Sequence, residues 1–432
     1  MSREMRHSGI EWIGEIPKEW KVNKIGNLYH VRNEKVSDKD FPPLSVTMNG
    51  VVPQLETAAK TNNGDDRKLV RKGDFAINSR SDRRGSCGVS QYDGSVSLIN
   101  TILMPRTSMN SQYYNWLFHT ELFADEFYKW GHGIVDDLWT TRWQEMKNIS
   151  IVYPSLAEQQ KIANYLDKVC GEVDEMITLQ EQMIEELKAY KQSVITEAVT
   201  KGLNSDVPMR DSGIDWIGEV PEGWDISRIG MFYFVTKLAG FEYTDTLMNK
   251  ISPVGDVPIV RAQNVRMFSF NKESISEFVD LETSLLLDRC ALDKRALLMT
   301  FIGAGIGDVC IIDEPQRYHL APNVAKMEII DNYESMIFDK YIMYYLGSNA
   351  GKGEISKISK ASAQASLSMS TIRKISITIP PLSEQQFIAS YLDAKCAEID
   401  ALIAIKQAKI EELKDYKKSV IYEYVTGKKE VV

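Results

Sequence analysis

Two segments of the chain carry the same stepping of apolar positions. In the first, Val173, Ile177, Ile184, Leu187, Val194 and Ala198 recur at intervals that build from three and four. In the second, Ile399, Ile403, Ile410, Leu413, Val420 and Tyr424 do the same. This spacing is a heptad seam, broken in both segments at the same two places, by Gln180 and Lys191 and by Lys406 and Lys417. It predicts two long helices whose seams face each other. Ser155 and Ser383, each followed by Glu and Gln after proline-rich punctuation, mark acceptable helix starts. The stretches 32–150 and 236–376 read as mixed α/β instead. Apolar runs bounded by Gly and Asp turns predict strands at Phe75-Ala76-Ile77-Asn78, Val96-Ser97-Leu98-Ile99, Leu297 to Ile302 and Val309-Cys310-Ile311-Ile312. Helical segments are expected near Tyr113 to Trp130 and Tyr333 to Leu346.

The chain is written twice, and this repeat fixes its organisation. Met5 to Trp20 returns as Met209 to Trp224 with 11 of 16 positions identical, at an offset of 204. Pro154 to Thr200 returns as Pro380 to Thr426 with 27 of 47 identical and no gap, at an offset of 226. The intervening inserts align only at scattered positions, and the second is 22 residues longer. A kept frame with diverged inserts suggests a constant scaffold presenting two recognition surfaces; simple drift would blur the frame equally. The second insert begins near the end of one helix and finishes at the start of the other, so an antiparallel pair is expected. The fold class is α/β (α+β): two mixed domains joined by two long antiparallel coiled-coil helices, with an internal pseudo-twofold. The expected divisions are 1–153, 154–203, 204–379 and 380–432. A helix from Val173 to Val199 would be about 40 Å long, close to one turn of B-DNA at about 34 to 36 Å.

Charge first argues against a nucleic-acid partner and then reverses. Lys and Arg number 51 against 60 Asp and Glu, a net charge of −9. The acidity is concentrated on a helix, where 156–201 carries five basic and nine acidic residues. By contrast 60–84 has eight basic and four acidic residues, and 352–374 has five and one. Arg67, Lys68, Arg71, Lys72, Asn78, Arg80, Arg83 and Arg84 are therefore candidates to neutralise phosphates or to make bidentate contacts with base edges. In the second insert the candidates are Arg261, Gln263, Asn264 and Arg266, then Lys352, Lys357, Lys360, Ser362 and Gln364. A solvated loop explains any one of them equally well. Trp139-Thr140-Thr141-Arg142-Trp143 could wedge or stack, although tryptophan is more often core.

No motif here builds an active site. Gly303-Ala304-Gly305-Ile306-Gly307 lacks dinucleotide-fingerprint spacing and precedes a strand-like run, so it reads as a turn. Asp136 and Asp137 with Glu145 and Lys147 have only a loose nuclease look. Phosphate-loop, hydrolase-elbow and amino-methyltransferase tetrapeptide motifs are missing. The five cysteines and five histidines are scattered, which predicts neither a zinc site nor a disulfide framework. The N-terminus lacks a signal-peptide core and no apolar run suits a membrane span, so a cytoplasmic protein is expected.

Taken together, the Ser-Gly-Ile-x-Trp-Ile-Gly-Glu-x-Pro repeat, the Glu-Gln-Gln-x-Ile-Ala-x-Tyr-Leu-Asp helix starts at Glu158 and Glu384, and Thr200-Lys201-Gly202-Leu203 make the chain resemble the specificity subunit of type I restriction-modification systems. The resemblance covers nearly the whole chain. It implies a non-catalytic subunit whose two recognition domains each read half of a split duplex DNA target, with conserved helices setting the spacer. It further implies two methylation subunits docked on those helices, and restriction subunits that translocate and cut DNA in the full complex. S-adenosylmethionine, magnesium and ATP would then belong to partners. The recognition inserts match in pattern only, so no base-contacting residue follows from the resemblance. Two other readings remain: a duplicated scaffold that joins proteins without touching DNA, and a self-contained modification enzyme.

Overall fold

The computed structural model describes residues 3–54, 64–133, 139–359 and 366–431. The chain forms two compact units, one of Met1–Glu181 with Gln407–Val432 and one of Gln182–Lys406. Each unit thus takes one end of both long helices.

Those helices run Leu156–Lys201 and Leu382–Val425, 46 and 44 residues. Both carry the repeated Glu-Gln-Gln in their first turn and stop before a glycine in the left-handed region, Gly202 at φ +75° and Gly427 at φ +73°, where a side chain would be strained. The seam positions behave as the spacing predicts. Val173, Ile184, Ile399, Ile410, Leu413 and Val420 are buried, and Ile177, Leu187, Val194 and Ile403 are half-buried. In the first unit Lys417 Nζ lies 2.6 Å from Asp174 Oδ1, and the rings of Tyr165 and Tyr424 stand 4.4 Å apart. Residue numbers rise along one helix as they fall along the other, so the helices are antiparallel. The repeat image of this ion pair is Lys191 with Asp400, 2.7 Å apart in the second unit. One of the two shared breaks in the seam is therefore the lysine of a cross-helix ion pair.

The inserts, which resist alignment as sequence, have the same fold. In the first unit a four-stranded antiparallel sheet has the order Cys87–Val89, Phe75–Asn78, Asn100–Pro105, Tyr29–Arg32. In the second unit the order Val309–Ile312, Ala296–Thr300, Val324–Ile329, Tyr233–Lys237 repeats it. Strand register superimposes Tyr29 on Tyr233, Phe75 on Leu297 and Leu103 on Met327. Pairing of the closing strands places Val152 against Val22 and Thr378 against Ile226. The offset thus climbs from 204 to 222, 224 and 226, which puts most of the added length between the first and second strands of the sheet. A second small sheet packs beside each. It has three strands in the first unit, Gly94–Val96, Arg67–Val70 and Lys35–Val36, and four in the second.

Several boundaries differ from the sequence reading. Of the strand expected at Val96–Ile99 only Val96 is in a strand, Gly94–Val96, because the chain turns there, with Asn100 N bonded to Ser97 O at 3.1 Å; the strand expected from Leu297 to Ile302 ends at Thr300. The helix expected over Tyr113 to Trp130 is two, Ser111–Phe118 and Glu121–Lys129, because Thr120 caps the second through its hydroxyl, which accepts from Phe123 N at 3.2 Å. In the segment from Tyr333, which closes a single 3-10 turn Asp331–Tyr333, the α-helix starts only at Asp339 and ends at Gly347.

Repeated residues lock each insert to the helices. Trp20 Nε1 donates to Glu158 at 2.8 Å, and Trp224 Nε1 to Glu384 at 3.1 Å. Buried Gln159 accepts from Asn110 N and donates to Pro154 O, both 2.9 Å; Gln385 does the same with Phe338 N and Pro380 O. The Tyr113 hydroxyl donates to Val425 O at 2.7 Å, and the Tyr341 hydroxyl to Val199 O at 3.1 Å. Buried polar groups left without partners are costly, so Tyr113→Phe, which strands Val425 O, should lower unfolding stability by about 1 to 2 kcal/mol, and Tyr341→Phe by less, because the Thr378 hydroxyl also donates to Val199 O at 2.8 Å. Urea denaturation checks this, with far-UV circular dichroism expected to be unchanged; no loss would mean that these hydroxyls hold nothing.

Candidate nucleic-acid interface

The structure divides the first cluster of candidates. Arg67 is only 4% exposed, because its strand turns inward. Its guanidinium donates to Ser95 Oγ at 2.9 Å and Ser95 O at 3.0 Å, and burial pushes its pKa down. Lys68 is half-buried and donates to Asn100 O at 2.7 Å. Both are fastened into the small sheet, a correction to their reading as surface contacts. Arg71 and Lys72 form the turn before strand Phe75–Asn78. There Asp93 takes Arg71 Nη1 at 3.1 Å and Lys72 N at 2.8 Å, and the Arg71 guanidinium lies 5.0 Å from the Phe41 ring centre.

At the other end of that strand a loop presents Arg80, Arg83 and Arg84. Asn78 opens it by accepting from Arg80 N at 3.1 Å. The Arg83 and Arg84 side chains are exposed, at 67% and 51%. Asp82 sits 3.7 Å from Arg80 and 3.9 Å from Arg83, and Arg84 pairs with Asp125. Exposed pairs of this kind contribute little, so a phosphate can compete for Arg83 and Arg84. The basic run is therefore two separate patches, one at each end of a strand.

The second cluster divides the same way. Asn264 is 1% exposed; it accepts from Arg261 N at 2.8 Å and donates to Ser274 Oγ at 2.8 Å and Asn271 O at 3.2 Å, so it builds the turn. Arg261 is half-buried and its Nε is 2.5 Å from Glu277. Neither is offered to a ligand. Gln263 and Arg266 are exposed, the latter on the hairpin Val265–Arg266 and Ser269–Phe270. Lys352 and Lys357 lie on helix Asn349–Ser359; Lys352 donates to Gln192 at 2.9 Å, and Lys357 Nζ stands 4.5 Å from the Trp216 ring centre. Lys360, Ser362 and Gln364 lie outside the described residues.

Other sequence candidates resolve into structure. Trp139 donates to Tyr128 O at 2.7 Å and covers Gly131. Glu145 accepts from Arg142 N at 3.1 Å, capping a short helix; Asp136 and Asp137 lie outside the described residues. Residues 303–307 form a turn, with Gly307 N bonded to Thr300 O at 2.9 Å. All five cysteines are free and buried, with Cys170 and Cys290 pushed up to about 11 by burial. Burial also lowers the pKa of His119 and His319. Among the described residues no group of three metal-ligating side chains occurs, and no helix is long and apolar enough to cross a membrane. The sequence reading missed Met48, 70% exposed at the tip of hairpin Leu44–Thr47 and Gly50–Pro53. Asn49-Gly50, a strong hairpin-turn signal, could have placed it.

The family model described as the type I restriction modification DNA specificity domain matches residues 17–189 and 221–415. The chain belongs to the type I restriction-modification DNA specificity family. The two matches coincide with the two copies of the repeat. A similar relative is the putative type I restriction enzyme MjaX specificity subunit of Methanocaldococcus jannaschii, 23% identical over 96% of this chain and 95% of that one. Among solved structures, a chain from work on complex assembly and conformational transition of the type I R-M system aligns with a TM-score of 0.72 at 13% identity, over 95% and 99% of the two chains. The HsdS subunit from Thermoanaerobacter tengcongensis gives 0.53 at 15% identity, over 95% and 98%. At those identities the structural likeness concerns the fold, which is that of a specificity subunit.

The division of the arginines is measurable in this specificity subunit. Arg67→Ala strands Ser95 O and empties a buried site and should cost about 2 to 4 kcal/mol of stability, whereas Arg83→Ala should stay within about 0.5 kcal/mol of the parent. Equal effects in urea titration would mean that Arg67 is not part of the core.

Proposed function

We propose that this specificity subunit reads a bipartite duplex DNA target, one half with each unit, and itself performs no catalysis. The observation that carries the reading is one scaffold written twice around two inserts of common fold and different surface chemistry. In this reading the arginine loop 80–84 serves one half and the surface around Arg266 and Lys352 serves the other. The long helices act as the spacer.

Partners supply the chemistry. We assign two methylation subunits to the shoulders of the long helices, where apolar side chains stand exposed one residue before seam positions. Met176, Leu179 and Tyr190 are 51%, 55% and 51% exposed, and their repeat images Leu402, Ile405 and Tyr416 are 41%, 63% and 52%. Apolar residues repeated in this way on a polar helix suit a protein partner, and their duplication suits two copies of it. S-adenosylmethionine, magnesium and ATP are assigned to those partners and to restriction subunits that translocate and cut, all acting in the cytoplasm.

Mapping adenine methylation across the host genome with and without the gene tests the reading, since one split motif should vanish on deletion. Exchanging residues 32–150 for those of a relative should then change one half of the motif and leave the other half and the spacer intact; altered bases in both halves would sink the modular assignment. Leu179→Glu with Ile405→Glu should weaken capture of the methylation subunit at least about tenfold, by at least about 1.4 kcal/mol, with helix content unchanged. Undiminished capture would place the docking surface elsewhere.

A further inference from the structure

The loops that join the second and third strands of the main sheets, residues 79–86 and 301–308, share one backbone frame. Both have eight residues between strands in identical register. In the first, Asn78 N bonds to Ser86 O at 2.9 Å, Ser86 N to Arg83 O at 3.0 Å and Thr141 N to Ser79 O at 2.9 Å. In the second, Thr300 N bonds to Asp308 O at 2.9 Å, Asp308 N to Gly305 O at 2.9 Å and Leu367 N to Phe301 O at 2.9 Å. Isolated bridges join Arg80 to Thr140 and Ile302 to Ser366. A left-handed glycine closes both, Gly85 at φ +73° and Gly307 at φ +89°.

Apart from that glycine, no side chain is shared. Arg80, Ser81, Asp82, Arg83 and Arg84 stand where the other loop has Ile302, Gly303, Ala304, Gly305 and Ile306. Asp82, Arg83 and Arg84 are exposed, and so are Ile302, Gly303 and Ala304. The frame is carried by main-chain bonds, so the core does not dictate this exchange of charged for uncharged groups. Exposed side chains that differ on a fixed backbone are what two readers of different sequences require. Among the described residues a Cβ on Gly303 would meet nothing within 4 Å, which leaves room for a ligand to approach its main chain.

We propose that these two loops are the specificity loops of the two units and read duplex DNA by different chemistry. The first uses guanidinium contacts to phosphates and base edges, and so carries the larger share of the salt dependence. The second uses close approach of main chain and apolar side chains to base edges. This rests on the DNA-reading function proposed above, with duplex DNA as the occupant argued from the arginine loop.

The test uses the full complex with its methylation subunits and a duplex carrying the mapped motif. Arg83→Ala with Arg84→Ala should weaken binding about tenfold or more and flatten the slope of log affinity against log salt by about 1 to 2. Ala304→Leu, bulk without charge at an exposed position, should weaken binding about tenfold and leave the slope unchanged. Methylation mapping should show each variant relaxing a different half of the motif. A parent complex that binds the duplex, with both variants matching it in affinity, slope and motif, would overturn the loop assignment alone. A parent complex that binds no bipartite duplex would overturn the DNA-reading function with it.

Discussion

Antiparallel pairing of the two long helices is the constraint on which the rest of the molecule depends. The first unit is completed by Gln407–Val432, more than 200 residues from the segment they pack on. Lys417 must reach Asp174, and the Tyr113 hydroxyl must find Val425 O at the far end of the second helix. Lys191 with Asp400, and Tyr341 with Val199 O, impose the same requirement on the second unit. Partly exposed ion pairs contribute modestly to stability. Their value here is register, since a lysine in an apolar seam tolerates few alignments and finds a carboxylate in the one observed.

Given that pairing, the repeated residues act as fasteners between a helix start and the insert that precedes it. Trp20 with Glu158, Trp224 with Glu384, and the buried Gln159 and Gln385 are bonded alike in both units. None of these side chains is offered to a ligand. Their recurrence is explained by the need to satisfy buried polar groups where a strand hands the chain to a helix. The inserts are free to vary elsewhere because the fastening does not depend on what lies between.

Much of the charge singled out by composition is spent internally. Arg67 and Asn264 look in sequence like contacts for nucleic acid, yet each holds a turn or a sheet together from a buried position. Charge counts along a chain cannot tell a guanidinium that points outward from one that ties two strands, because in a strand one residue's shift reverses the side chain's direction. Arg83 and Arg84 escape this fate by lying exposed in a loop framed mostly by main-chain bonds.

By itself the sequence determined the helices, their seam, their antiparallel sense and the duplicated scaffold, because periodicity and internal identity are local and repeat at fixed spacing. The family was legible for the same reason, through motifs such as Glu158-Gln159-Gln160 and Trp12-Ile13-Gly14. Tertiary structure alone decided that the two inserts share a sheet, that Lys191 and Lys417 answer Asp400 and Asp174, and that loops 79–86 and 301–308 are equivalents. Sheet register is written in main-chain hydrogen bonds between distant segments. Such bonds place few demands on side-chain identity, so sequences that have lost their likeness can keep them.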